Sequence, residues 1–255
     1  MSDHDLSREI KLANREVYNR MSVAGYNANE SLFNPRREVA CREILATAAR
    51  RSGRERYLDV GTGTGNLLRL AVPIFDQCFA VDLGDRLLAR IRPDFRGVQF
   101  AAADAEMLPF RDASFDCVSC YAMLHHLFRH DRLLQEVGRV LRPGGTLYPD
   151  HDPNYFLTRF FRPFYRWRHR RKTGFGSATE DLAEYHNTIA PGINPERLAD
   201  LLRQAGFSDV KVNYRMTDRP HWPIPMRLIV GSLRLAATVY PAKSFFSHFS
   251  IIAVK

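Results

Sequence analysis

Long apolar runs are absent: nothing in the 255 residues approaches the ~20 consecutive apolar side chains that a membrane-spanning helix requires. Met1 to Lys11 is polar and of mixed charge, without the apolar stretch of a secretory signal. The expectation is therefore a cytoplasmic protein. Cysteine is scarce. Cys41, Cys78, Cys117 and Cys120 are too few and too scattered for a disulfide framework. Cys117 and Cys120 make a single C-x-x-C with no second pair downstream, inside an apolar run, and read as ordinary buried thiols. No internal repeat or low-complexity tract is present. Charged residues are 25% of the chain, an ordinary share that argues against global disorder. Acids are the minority sign, 28 against 37 lysines and arginines, for a net charge of +9. A basic balance suits nucleic acid, an anionic membrane surface or an acidic substrate, or it serves solubility alone.

The chain is 45% hydrophobic, enough for one sizeable core. Residues 6–22 and 35–51 have helix-like apolar spacing, the second starting at Pro35. Strand and helix then alternate. Short apolar runs at Tyr57–Val60, Phe79–Asp82, Val98–Ala102, Phe115–Cys120 and from Thr146 read as strands, with helices at Asn66–Ile74, Gly84–Ile91 and Asp131–Leu141 between them. Arg142-Pro143-Gly144-Gly145 closes the last of these helices. A further helix spans Pro195–Ala205, capped by Asn194 and ended by Gly206, and strands follow at Val210–Tyr214 and Phe245–Val254. Such alternation implies a parallel sheet covered on both faces. Residues 151–192 and 217–243 do not fit it and read as insertions over the site.

The chemistry concentrates at Asp59-Val60-Gly61-Thr62-Gly63-Thr64-Gly65-Asn66, a strand running through glycines into a helix. Glycine allows positive φ and close approach of a ligand to the main chain, and the helix start offers free N–H groups. The spacing G-x-G-x-G differs from the dinucleotide fingerprint G-x-G-x-x-G, because Asn66 stands where its third glycine falls. Asp59 just before the turn suits a cationic amino group and repels a pyrophosphate. Asp82 ends the second strand, where a carboxylate can accept from ribose hydroxyls, and Asp104 ends the third, where it can accept from an adenine amino group. Each acid alone is explained by helix capping. Three acids on successive strand ends, beside the glycine turn, are not.

With these pieces the chain resembles the class I S-adenosylmethionine-dependent methyltransferases, in particular the branch of ubiquinone and menaquinone biosynthesis. The resemblance runs in order through Leu58–Gly65, Val81-Asp82, Asp104–Phe110, Ser114–Val118, His125–Leu127 and Glu136–Gly145, and covers about residues 55–150. It implies a Rossmann-like, seven-stranded, mostly parallel α/β sheet with helices on both faces and an antiparallel last strand. It also implies a helical N-terminal lid and two insertions over the cleft. The organisation expected is a lid at 1–54, a cofactor-binding core at 55–150, a basic aromatic insertion at 151–192, and the rest of the sheet at 193–255 with its insertion at 217–243. By position, the resemblance gives S-adenosylmethionine a site made of Asp59, Gly61, Thr62, Gly63, Gly65, Asp82, Leu83, Asp104, Ala105, Met107 and Tyr121.

The sulfonium methyl is already activated, so catalysis is mainly alignment, worth ~7–11 kcal/mol in favourable cases. A base is needed only where the acceptor must lose a proton. His125 and His126 are the candidate bases, with His151 behind them. One histidine of the pair is often structural in the family. A metal built from Asp150, His151, Asp152 and His125 has no ligand spacing to support it, and no metal is expected. Tyr18 and Tyr26 belong to a stretch that resembles the family's N-terminal lid, and either close over the cleft or pack the helix onto the core. From Arg159 to Lys172 there are seven lysines and arginines, no acid, and interleaved aromatics. That mix suits a substrate lid or contact with an anionic membrane or lipid, and less well nucleic acid. The leading reading is a methyltransferase for a small hydrophobic or amphipathic acceptor. Against it stand an RNA or protein methyltransferase and a cofactor-binding protein that transfers no methyl. The acceptor atom and the oligomeric state stay open.

Overall fold

The computed structural model describes residues 2–21, 23, 35–159, 178–190, 192–216, 228, 231, 232, 235, 239 and 242–255. Its strands are β1 (Arg56–Val60), β2 (Gln77–Asp82), β3 (Gln99–Ala102), β4 (Phe115–Tyr121), β5 (Leu141–Pro153), β6 (Ser208–Arg215) and β7 (His248–Val254). Its helices are α1 (Asp3–Arg20), α2 (Pro35–Ser52), α3 (Leu68–Ala71), α4 (Asp85–Ile91), α5 (Asp131–Val140), α6 (Ala178–Ala183), α7 (Tyr185–Thr188) and α8 (Pro195–Gln204).

The seven strands form one sheet in the order β3-β2-β1-β4-β5-β7-β6. Pairs among β1 to β5 are parallel, and β7 runs antiparallel to both β5 and β6. This is the Rossmann-like architecture expected. The strand order reverses between β1 and β4, and in such sheets the crevice beyond the carboxyl ends at that reversal is where ligands bind.

Period-two alternation builds the core. Leu58 and Val60 of β1 face one layer, with Phe79, Val118, and Leu134 and Leu198 from α5 and α8. Tyr57 faces the other, with Ala80, Cys117, and Cys41 and Leu45 from α2. All seven residues of β4 are buried. Cys117 and Cys120, an odd number of residues apart on a strand, fall in opposite layers as free thiols.

Three expectations need correction. The 1–54 segment is not a lid throughout: α1 lies over the crevice, whereas α2 buries Cys41, Leu45 and Ala48 in the core. The helix expected at Asn66–Ile74 shortens to Leu68–Ala71, flanked by turns. The boundary at 150/151 falls inside β5, which continues through Pro153 with a register shift between Asp150 and Asp152. His151 takes up that extra residue with φ +66°.

Candidate functional site

Four successive parallel strands end at one cavity. The loop after β1 contributes Gly61 to Thr64 and Asn66, β2 ends in Asp82 with Leu83 and Gly84 after it, the segment after β3 brings Ala103 to Ala105, and β4 ends in Tyr121. From above, α1 adds Lys11, Asn14, Arg15 and Tyr18, and the short 3₁₀ turn Leu124–His126 adds His126.

The glycine turn has a geometric cause. Gly61 has φ +67°, and a Cβ there would stand 2.2 Å from Met123 Cγ. Gly65 has φ +81°, and its Cβ would meet the Phe95 ring at 2.4 Å. The N–H groups of Gly61 and Thr62 donate to the Val81 carbonyl at 2.9 and 3.0 Å, and that of Gly63 donates to Asp82 Oδ2 at 2.9 Å. Asp82 Oδ1 accepts from Gly84 N–H at 2.8 Å. One carboxylate thus ties the turn to the start of α4. Burial raises the Asp82 carboxyl above its ordinary range, against these backbone donors.

Asp59 is buried behind the turn and does not line the cavity. Its oxygens accept from Thr62 Oγ1 at 2.8 Å and Ser119 Oγ at 3.1 Å. Burial pushes its carboxyl up to about 7. Asp104 lines the cavity. It accepts from Lys11 Nζ at 2.8 Å and from Glu106 N–H at 2.9 Å. Met107 is 75% exposed and the fold does not bring it to the cavity, and Gly65 lies behind the turn. Tyr26 is outside the described residues.

The histidines divide. His126 lines the cavity, with Tyr18 Oη 3.0 Å from its Nε2. Burial and the neighbouring His125 push its imidazole down to about 4. His125 points away, with Nδ1 2.8 Å from Asp152 Oδ1 and Nε2 3.5 Å from Glu184 Oε2. Burial opposes its charge, but the two carboxylates outweigh that and hold it at about 10. His151 stacks between Tyr121 at 5.0 Å and His248 at 4.3 Å. Asp150 is fully buried, bonded to Arg37, Arg215 and Tyr148. The set Asp150, His151, Asp152 and His125 is therefore split: Asp152 meets the His125 ring, whereas Asp150 takes only the backbone N–H of His151, at 2.6 Å.

Sequence reasoning passed over Lys11, Asn14, Thr64 and Glu184 as site residues, and read Asn66 only as a helix start and as the departure from the dinucleotide fingerprint. Thr64 Oγ1 and Asn66 Oδ1 line the cavity, are buried, and have no hydrogen-bond partner among the described residues. A hydroxyl and an amide oxygen waiting beside a glycine turn fit the polar amino-acid end of S-adenosylmethionine, and the acids beyond β2 and β3 fit its ribose and base.

Residues 58–148 match the profile of a methyltransferase domain. The chain is 31% identical over 193 residues to the ubiquinone/menaquinone biosynthesis C-methyltransferase of Acidiphilium cryptum, covering 68% of this chain and 73% of that one. It is 36% identical over 133 residues to the malonyl-[acyl-carrier protein] O-methyltransferase of Methylococcus capsulatus, covering 49% and 46%. Among solved structures, phosphoethanolamine N-methyltransferase 2 of Haemonchus contortus, in complex with S-adenosyl-L-methionine, superposes with a TM-score of 0.61 at 21% identity, covering 94% of this chain and 59% of that one.

Proposed function

This chain belongs to the S-adenosylmethionine-dependent methyltransferases, and from that premise we propose that it methylates a small hydrophobic or amphipathic acceptor held between the 3₁₀ turn and α1. The observation that carries the reading is the convergence of four strand ends, a glycine turn and two orphaned polar side chains on one cavity beneath α1. The relatives act on carbon, oxygen and nitrogen by their names, so the acceptor atom is left open.

When bound, S-adenosylmethionine supplies an activated methyl group, and the protein's task is to hold and align. Asp82 binds the ribose hydroxyls, and Asp104 with the Ala105 backbone binds the base. Thr64 and Asn66 take the amino-acid end, with Asp59 behind Thr62 supplying negative charge. Tyr121 walls the cavity beside the transferred group. Tyr18 from α1 lines the cavity in contact with His126, where its ring helps to exclude water. Held neutral by burial, His126 is the base suited to an acceptor that must lose a proton. His125, fixed by Asp152, is a positioning residue for the turn. The basic segment 159–172, outside the described residues except for Arg159, meets an acidic lipid surface or acceptor headgroup. Its seven basic residues without an acid support this.

Calorimetric titration with S-adenosylmethionine and S-adenosylhomocysteine tests the core of the reading. Both should bind the native protein, and Asp82→Ala should bind at least roughly tenfold more weakly, the loss of about 1.4 kcal/mol that one charge-assisted bond represents. Equal affinity in the two proteins would remove Asp82 from the site.

A further inference from the structure

Where α6 gives way to α7, Glu184 is carried against the 3₁₀ turn that bears His125 and His126. The ligand-capable atoms of these three residues lie within 4.8 Å of one another, and His125 Nε2 is 3.5 Å from Glu184 Oε2. Both rings are gripped by their far nitrogens. His126 Nδ1 is 2.6 Å from the Ala183 carbonyl, which only accepts, so this nitrogen carries the proton and Nε2 is left with a lone pair. His125 Nδ1 is 2.8 Å from Asp152 Oδ1, which also takes the His125 backbone N–H at 3.0 Å. An imidazole whose outer N–H is held by a carboxylate or a carbonyl is the arrangement that orients histidine toward a metal ion.

Two further observations concern charge. Tyr18 Oη is 3.0 Å from both His126 Nε2 and Glu184 Oε1. Its single proton can serve only one of these acceptors, and Glu184 Oε2 also accepts from Asn187 Nδ2 at 2.8 Å. Asp152 is fully buried, and its Oδ2 has no partner among the described residues. Two carboxylates beside two oriented imidazoles suit a divalent cation, whose binding displaces the proton from His125 Nε2.

The geometry points to a divalent transition-metal site at which His125 Nε2, His126 Nε2 and the Glu184 carboxylate are the ligands, with Asp152 and the Ala183 carbonyl holding the imidazoles from behind. Two imidazoles and one carboxylate favour an ion of the zinc class over magnesium or calcium. Ligand bonds of about 2.0–2.1 Å require the three side chains to draw together from their separations of up to 4.8 Å. Three protein ligands leave a position for water or an acceptor oxygen, and His126 and Tyr18 open that side to the cavity. The site is independent of the methyl-transfer reading, since it needs no cofactor.

The test uses untagged full-length protein, stripped by chelator and titrated with Co²⁺, with Zn²⁺ as competitor. One equivalent of Co²⁺ should give visible d–d bands of nitrogen–oxygen coordination, which Zn²⁺ abolishes. Asp152→Asn should weaken binding by roughly 10–100-fold, the usual loss for an outer-shell partner. Glu184→Gln and His126→Asn should weaken it at least as much, and His248→Asn should leave it unchanged. X-ray absorption of the zinc-loaded native protein should show scattering from two imidazoles, a readout that does not depend on any variant folding. No Co²⁺ bands in folded native protein, bands undiminished in Glu184→Gln, or a zinc spectrum with fewer than two imidazoles would each overturn the site. S-adenosylmethionine titrated into the same samples reports separately on the methyltransferase reading.

Discussion

Two single residues near the turn make separable claims. At Gly61 a methyl group meets Met123 Cγ, and the backbone sits at φ +67°. Gly63, at φ +53°, has nothing within 4 Å of the same position. Gly63→Ala therefore carries backbone strain alone, about 1–2 kcal/mol, whereas Gly61→Ala adds overpacking of typically ~1–3 kcal/mol. Thermal unfolding should rank Gly61→Ala well below Gly63→Ala, and Gly61→Ala should also lose cofactor affinity, because Met123 lines the cavity. Asp59 makes the second claim. With its carboxyl at about 7 in the fold against about 3.9 in an unfolded chain, the folded form binds the extra proton. Its contribution to stability is greatest at low pH, falls as pH rises from about 4 to about 7, and is constant beyond. Asp59→Asn should lose that slope in denaturant unfolding. If the cationic amino group of the cofactor sits near this carboxyl, binding at pH 7 should expel about half a proton. Calorimetry in buffers of different ionisation enthalpy measures this, and the release should vanish in Asp59→Asn. No release from native protein would place the amino group elsewhere.

Among the elements, α1 is attached in an unusual way. Only Ile10 and Ala13 are buried, Tyr18 packs against the cluster of Leu87, Leu88 and Ile91, and polar contacts add to these. Lys11 reaches Asp104 and Glu106 at 2.8 and 2.7 Å. Asn19 Oδ1 accepts from the N–H groups of Arg86 and Leu87, capping α4 from another helix. Half-buried ion pairs contribute about 0–1 kcal/mol each, so α1 belongs to the weakly held part of the fold that opens locally. Lys11→Ala should lower hydrogen-exchange protection across residues 3–20 several-fold while β4 keeps its protection, and S-adenosylmethionine should restore part of it. Equal loss in β4 would mean global destabilisation instead. The same element shows what a sequence reveals. Its amphipathic spacing announced a helix, the strands β1 and β2 were legible as apolar runs ending in glycine or acid, and β4 as an apolar run alone. The docking of α1 was not, because Lys11 meets Asp104 across 93 positions and no local pattern encodes that pair. β5 was only half legible. Pro149 and Pro153 conceal its continuation, which a strand beside an antiparallel neighbour tolerates at a bulge.

At the scale of the whole molecule, the strand-end residues proposed for the cofactor were readable as a group, and the wall proposed for the acceptor was not. Glycines and acids at strand ends are set by chain order, so Gly61, Asp82 and Asp104 converge because the topology makes them neighbours. Glu184 reaches His125 and His126 only through an insertion with no repeat or period, and Thr64 and Asn66 carry meaning only once their burial is known. Charge is the remaining global property. Among the described residues no helix is long and apolar enough to cross a membrane, yet the chain carries +9, with seven basic residues and no acid between Arg159 and Lys172. Each lysine or arginine near an anionic surface contributes about 1 kcal/mol, within a Debye length of ~8 Å at physiological salt. The protein should therefore sediment with phosphatidylserine-containing vesicles, remain in solution with phosphatidylcholine alone, and be released by added salt. Replacing Arg162, Arg166, Arg168 and Arg170 by glutamine should abolish the sedimentation and leave S-adenosylmethionine affinity intact. If the fourfold variant still sediments, the surface contact lies elsewhere. If native protein never does, the basic segment faces an acidic acceptor instead, and the variant should then raise the acceptor's KM without changing cofactor binding.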